Sequence, residues 1–289
     1  MTPKTLIARL GTLASLPEIC LRVQALADQP NATADQLAEV IRHDPALAAR
    51  LLRLVNSAHF GRGAPIDDLI AAVRWCGMDA LRLLALGAGM LDVFKGLPRA
   101  LVDMDTYWTA SVHCALLARV LAGLAPAGHP ERLFAAGLLH AIGQLAMYTA
   151  APELSQQVLN RMGSQDFLRA DLETEVFGCH YAAVGAALLA HWRLPTSLVG
   201  PVGHHLAPLA AQPVFAQDAA LLHIAWVVTT CVESELKQIP ARAALPTIAP
   251  AIWLASGVTL EVLPQACASV DAQWFEVLEI LSPGATLVF

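Results

Sequence analysis

Apolar positions recur along most of this chain with the spacing of one helix face. Thr33-Ala-Asp-Gln36 has the form of a capping box, in which the Thr and Gln side chains satisfy each other's exposed backbone donors. It predicts a helix through Val40 and Ile41. His43-Asp44-Pro45 then restarts the chain: Asp44 can accept from free backbone N–H groups, and Pro45 suits a first helical turn, where its missing N–H costs nothing. Leu47, Leu51, Leu54 and Val55 follow at i, i+3/i+4 spacing, predicting a second helix that ends near Asn56-Ser57. A third is expected after Asp67/Asp68, with Leu69, Ile70 and Val73 inward and Gly77 as its stop. A fourth starts at Met78-Asp79 and runs towards Phe94.

Lys95-Gly-Leu-Pro-Arg99 breaks the periodicity, so Pro98–Asp105 is the expected joint between an N-terminal helical subdomain, residues 1–100, and a second unit, residues 101–289. In the second unit Trp108, Val112, Ala115/Leu116 and Val120 share a face of a helix that stops at Gly123. His129-Pro130 opens a long apolar helix containing LFAAGLLHAIGQL, with His140 in its middle. Further helices are expected over Pro152–Met162, Asp166–Val176 and His180–Trp192. A short Pro195–Leu206 segment ends in a histidine pair, Gln217–Lys237 is strongly apolar, and the tail Pro250–Leu281 reads as two helices interrupted by Gly257. Strand signals are scarce and no repeat is found. The expected architecture is all-α.

Composition sharpens this picture. Only 15% of the 289 residues are charged and 56% are hydrophobic, which requires several fully buried helices. So apolar a chain raises the question of a membrane span. The charge-free window Leu133–Pro152 contains His140, Gln144, two glycines and a proline and lacks a basic anchoring flank, so a buried core helix is expected there. No export signal is expected at the N-terminus. Six cysteines lie far apart without a CxxC pair, and read as buried thiols in a reducing cytoplasm. The net charge of −6 is uneven: residues 1–100 carry 11 basic and 9 acidic groups, residues 201–289 carry 2 and 7. No basic block with interleaved aromatics occurs, so nucleic-acid binding is not expected.

Two motif clusters carry the chemistry. The first is Leu16-Pro-Glu-Ile19, Ile41-Arg-His-Asp-Pro-Ala-Leu47 and Leu51-Leu-Arg-Leu-Val-Asn-Ser-Ala58. The second is Leu138-Leu-His-Ala-Ile-Gly143, the segment His180–Leu189, Trp192-Arg-Leu-Pro195 and His204-His205. In this order and spacing they resemble the HDOD family, the HD-related output domain of bacterial signalling proteins, from about residue 10 to 206.

The resemblance implies a helical bundle of the HD-domain, phosphodiesterase-like type. Active HD relatives, among them phosphodiesterases that cleave cyclic di-GMP, hold two metal ions with a first His, a His-Asp pair, later histidines and a final Asp. Carried onto this chain, the first ligand position is Ala110. His140 is retained with Ala141 in place of the Asp, His180 and the pair His204 and His205 are retained, and the final Asp position is Trp226. Gln144 stands where the related pattern has a lysine.

A two-metal centre needs carboxylates to neutralise and bridge the ions, so that one hydroxide is generated and both attacking and leaving oxygens are clamped. Neutral imidazoles cannot bridge two dications. Ala110 and Ala141 are read as small residues filling a packed interior. No catalytic residue, metal or other cofactor is expected. If any metal binds, His180, His204 and His205 are the candidates for a single zinc-like ion, provided the helix breaks near Pro201 and Gly203.

Of the other histidines, His43 reads as a capping residue, His59 as the end of a turn, and His113 as a packed side chain. His223 should be neutral and paired if buried. The favoured function is a catalytically inactive signal-transduction output or adaptor protein. It would bind kinases, response regulators or cyclic di-GMP enzymes in the cytoplasm, away from membrane and nucleic acid, with a homodimer also open. The alternatives are a mononuclear metal-dependent phosphohydrolase using the remaining histidines, and a cleft retained as a sensor pocket for a nucleotide or other anion.

Overall fold

A computed structural model describes residues 1–11, 16–27, 29, 31–57, 65–90, 93–94, 96–163, 165–236 and 248–282, and among them the only regular structure is helical. The first part contains α1 (Pro3–Leu10), α2 (Glu18–Ala27), α3 (Ala34–Arg42), α4 (Pro45–Asn56), α5 (Leu69–Cys76) and α6 (Met78–Met90). The local signals read from the sequence account for their ends. Thr33 and Gln36 form the reciprocal box that opens α3. Asp44 accepts from the Leu47 N–H at 3.0 Å with Pro45 as the first residue of α4. Asp68 caps α5, and Gly77 stops it at φ 88°, a backbone conformation few other residues adopt cheaply. The stripe Leu47, Leu51, Leu54 and Val55 is buried.

Asn56 does more than end α4. Its Nδ2 donates to the carbonyls of Leu52 (2.8 Å) and Ile66 (2.7 Å), and its Oδ1 accepts from the Ile66 N–H at 2.7 Å. One side chain thus ties the start of the α5 approach to the end of α4. His59 and Ala58 lie outside the described residues, as do Lys95 and Lys237.

The second part begins with α7 (Met104–Leu124), capped by Asp103. It continues through α8 (Pro130–Leu139), α9 (Ile142–Ala150), α10 (Pro152–Met162), α11 (Arg169–Phe177), α12 (Tyr181–His191), α13 (Thr196–His204) and α14 (Pro213–Leu236). It ends with α15 (Pro250–Ser256), α16 (Leu263–Asp271) and α17 (Trp274–Leu281). Helix α7 is central: Trp108, Val112, Leu116 and Leu121 are buried, and α8, α14, α16 and α17 pack around it. The segment Pro98–Asp105, expected as a joint, runs into the first turn of α7. Helices from its two sides pack on one another, α1 against α9 and α12, α4 against α17, and α6 against α8.

Three expectations are corrected. The long helix through His140 is two helices, α8 and α9, with His140 and Ala141 in a turn between them. Ala141 cannot continue the helix at φ −99°, ψ 6°, and the His140 ring bonds back to the carbonyl of Gly137 at 2.6 Å, satisfying a helix-end acceptor. The tail holds three α-helices, because a 3-10 turn at Leu260–Val262 and a second break at Ala272 follow the expected stop at Gly257. Residues 166–176 open as a 3-10 turn, Asp166–Leu168, before α11.

Two glycines set how closely the helices meet. A Cβ on Gly137 would lie 2.5 Å from Cα of Ala115, and one on Gly143 would strike the carbonyl oxygen of Tyr181 and lie 2.5 Å from the Gly185 nitrogen. Backbone therefore meets backbone where α8 crosses α7 and where α9 crosses α12.

Among the described residues, two stretches, Pro130–Ala150 and Pro213–Cys231, are long and apolar enough to cross a membrane, with mean hydropathies of 1.3 and 1.4. The best window of the first is 83% buried inside the fold and that of the second 56%. The apolarity of the first is thus largely used in packing against other helices.

Gly143→Ala is expected to destabilise the fold by at least about 2 kcal/mol, since the added methyl meets fixed backbone rather than a mobile side chain. Chemical denaturation of the two proteins measures it, and unchanged stability would show that the α9–α12 crossing can open at no cost.

Candidate functional site

An open cleft of about 340 Å³ is bounded by α7, the α8–α9 turn, the 3-10 turn before α11, the start of α12 and the middle of α14. Four of the positions carried over from the HD pattern line it: Ala110, His140, Ala141 and Trp226, together with Gln144. Ala110 and Ala141 are therefore not filler in a closed interior. Helix α7 presents positions 107, 110 and 111 to the cleft, the i, i+3, i+4 spacing of one helix face.

The retained histidines are not gathered in this cleft. His205 is fully buried next to it, with Nδ1 at 2.7 Å from the Val202 carbonyl and Nε2 at 3.0 Å from the Tyr181 hydroxyl. Its ring meets those of His140 (centroids 5.5 Å apart) and Trp226 (5.8 Å) edge-on. His204, the last residue of α13, bonds through Nδ1 to the Gly200 carbonyl at 2.8 Å. His180 is the N-cap of α12, where Nδ1 accepts from the Ala183 N–H at 3.3 Å. The suggested triad of His180, His204 and His205 is thus corrected. α13 does end at this pair, but His204 and His205 bond carbonyls at the end of α13 while His180 caps the start of α12, and among the described residues no group of three or more His, Cys, Asp or Glu side chains is placed to hold a metal ion.

Burial governs the protonation of this region. It pushes His140 down to about 4. It also pushes His205 well below the ordinary value, helped by the neighbouring His140, His223 and His180. His223 is likewise lowered by burial, and its Nδ1 bonds the His205 carbonyl at 2.7 Å. The cluster is a set of neutral imidazoles held by carbonyls. His113 packs instead against Trp274, at 4.7 Å between ring centroids, outside the cleft.

The charged groups at the rim are paired. Arg169 donates to Tyr148 Oη at 2.8 Å and to Asp166 at 2.9 Å. Burial opposes its charge, but Tyr148, Asp166 and Glu173 together more than offset that. Glu173 is itself buried and accepts from the Tyr181 N–H at 2.6 Å at the start of α12. Burial raises its pKa to about 7, against the opposing pull of Arg169 and of that N–H.

Comparison with known proteins bears on this arrangement. The HDOD domain family model matches residues 13–208. The chain belongs to the HDOD family. An uncharacterized protein of Treponema pallidum (strain Nichols) is 28% identical over 209 residues, covering 71% of this chain and 40% of that protein, so the chain matches about two-fifths of that relative's length. Among solved structures, a proposed phosphohydrolase from Shewanella amazonensis has a TM-score of 0.73 at 26% identity, covering 96% of this chain and 98% of that one. An HDOD domain protein from Geobacter sulfurreducens shares the fold at TM-score 0.67 and 23% identity, covering 97% and 99% of the two chains. A proposed signal transduction protein from Marinobacter aquaeolei shares it at 0.69 and 22%, covering 94% and 60%.

The HDOD motifs also have structural explanations. Asp44 and Asn56 of the first cluster are a cap and a loop tie, and Gly143 of the second permits a helix crossing. Tyr107, Ser111 and Arg169, which belong to neither motif cluster, line the same cleft. The signal for the first two was available, since both lie on the helix face of Ala110. Arg169 comes from a neighbouring helix and left no trace in spacing.

The two kinds of buried group pull stability in opposite directions with pH. The Glu173 pKa is raised above 4.5, so the folded state holds the extra proton and stability falls as pH rises from about 4.5 towards 7. The His140 pKa is lowered below 6.5, so the unfolded chain holds the extra proton and stability falls as pH drops from 6.5 towards 4. Urea unfolding between pH 5 and 7 should show Glu173→Gln gaining on the native protein by on the order of 2 kcal/mol at the upper end. Parallel pH curves for the two proteins would remove Glu173 as a source of strain.

Proposed function

We propose that this HDOD chain is a non-catalytic output module of bacterial signal transduction that acts by binding, with a kinase, response regulator or cyclic di-GMP enzyme as the class of partner. The observation that carries the reading is the donor set of the cleft. Ala110, Ala141 and Trp226 all line it, and the resemblance to HD proteins puts them where an HD centre needs a ligand, a bridging carboxylate and a terminal carboxylate. His140 has one ring nitrogen committed to the Gly137 carbonyl. The two carboxylates near the opening, Asp103 and Asp166, are engaged with the α7 N-terminus and with Arg169. Bridging two dications needs shared negative oxygens, and the substituted positions offer none.

Binding would use surface the fold leaves apolar. Leu209, Val214 and Leu254 are exposed, at 59%, 76% and 85%, on the 3-10 turn Pro208–Ala210, the start of α14 and α15, and these three elements pack together. Apolar side chains grouped on adjacent elements are what an association surface needs. The six cysteines are free thiols, which suits a reducing cytoplasm.

Incubation with cyclic di-GMP and generic phosphomonoesters and diesters, in the presence of zinc, manganese or iron, is expected to give no turnover above the metal-only blank. Hydrolysis that disappears in His140→Ala would overthrow this reading in favour of a metal-dependent phosphohydrolase.

A further inference from the structure

The cleft has features that the loss of a metal centre does not account for. Tyr107 and Ser111 are 7% and 1% exposed, and both line it. Tyr107 Oη and Ser111 Oγ are buried, and neither has a hydrogen-bond partner among the described residues. They lie one turn apart on α7, close enough for the serine to offset a little of the burial that raises the Tyr107 pKa, but they do not meet in hydrogen-bond geometry. A buried hydroxyl left unpaired is unfavourable, so two together on one wall of an open cleft point to something that pairs with them.

Charge narrows what that is. The cleft is lined by one cation, Arg169, and two carboxylates, Asp103 and Asp166. Arg169 is already bonded to Asp166 and Tyr148. A phosphate or carboxylate ligand would find no uncommitted cation and would face a surplus of negative charge. The remaining functional atoms are neutral: the hydroxyls of Tyr107, Tyr148, Tyr181, Ser111 and three threonines, the Gln144 amide, and the Nε2 of a His140 whose Nδ1 is bonded to a carbonyl. Aromatic side chains on three separate elements complete the lining: Tyr107 on α7, Phe167 on the 3-10 turn and Trp226 on α14. Phe167 is 42% exposed at the edge, an aromatic ring that a bound planar molecule could cover. The volume, about 340 Å³, falls within the range of small-molecule sites.

We propose that this cleft binds an uncharged, flat, hydrogen-bonding heterocycle of nucleobase to nucleoside size, held between aromatic side chains and oriented by the hydroxyls of Tyr107 and Ser111. This builds on the reading of the chain as a binding module, since such a ligand supplies the signal that the module would pass to its partner. It departs from the expectation of a nucleotide or other anion, because the cleft offers hydroxyls and an amide where an anion would need unpaired cations.

The test uses the full chain with adenine, guanine, cytosine, uracil and their nucleosides, compared with the matching 5′-monophosphates and cyclic di-GMP, by thermal shift and titration calorimetry. At least one base or nucleoside should raise the melting temperature saturably, and its monophosphate should bind more weakly. Tyr107→Phe should melt no lower than the native protein without ligand, because it deletes an unpaired buried hydroxyl, yet lose about tenfold in affinity for the stabilising compound. Ser111→Ala provides the same readout should Tyr107→Phe fold poorly. No response to any base or nucleoside, tighter binding of the phosphorylated forms, or unchanged affinity in both variants would overturn the proposal. The turnover assay is independent of these outcomes: hydrolysis would defeat the non-catalytic reading and leave base binding standing, and absent binding would do the reverse.

Discussion

The fold depends on backbone meeting backbone at two glycines. Helices usually pack 8–10 Å apart because side chains keep their axes separated. At Gly137 against Ala115 and at Gly143 against Tyr181 and Gly185, no side chain intervenes. These crossings lie on either side of the His140–Ala141 turn, so they hold it on both flanks. The Gly137 carbonyl, brought up to α7 by the first crossing, receives His140 Nδ1. Tyr181, brought up to α9 by the second, sends its hydroxyl to His205. The position of the histidine cluster thus follows from where two Cβ atoms are missing.

An HD-type pocket without its carboxylates has an electrostatic problem of a new kind. Buried imidazoles with no carboxylate beside them must be neutral and must still use their nitrogens. Here they turn to carbonyls: Gly137, Gly200, Val202 and His205 each accept from, or face, a histidine ring nitrogen. Burial keeps His140 and His205 uncharged, and Trp226 packs edge-on against His205 and at a tilt against His223.

Much of the fold was legible in the sequence, because helix ends carry local chemistry. Thr33, Asp44, Asp68 and Gly77 each mark a boundary through a hydrogen bond or a backbone angle that depends only on near neighbours. The His140 break was not legible. Nothing in LLHAIG forbids a continuous helix, and the turn is stabilised by α7 and α12, far away along the chain. The site was legible by position and not by environment. Ala110, His140, Ala141 and Trp226 meet as the motif order implied, whereas the separate duties of His180 and His204 depend on how α12 and α13 are capped. That Ala110 and Ala141 border open space could not be read from their size, since a small residue suits a tight core and a cavity wall equally well.

The segment Pro130–Ala150, 21 residues and apolar enough for a bilayer, has a consequence for how the protein is made. Its covering helices include α6 and α7, synthesised earlier, and α12, α13 and α14, synthesised later. While the nascent chain grows, α9 waits for its partner α12, and α8 waits for α14, which ends at Leu236. During that interval a strongly apolar surface stands in water, open to chaperones and to self-association. The rate at which translation reaches α14 therefore sets how long the half-made protein must be kept from aggregating.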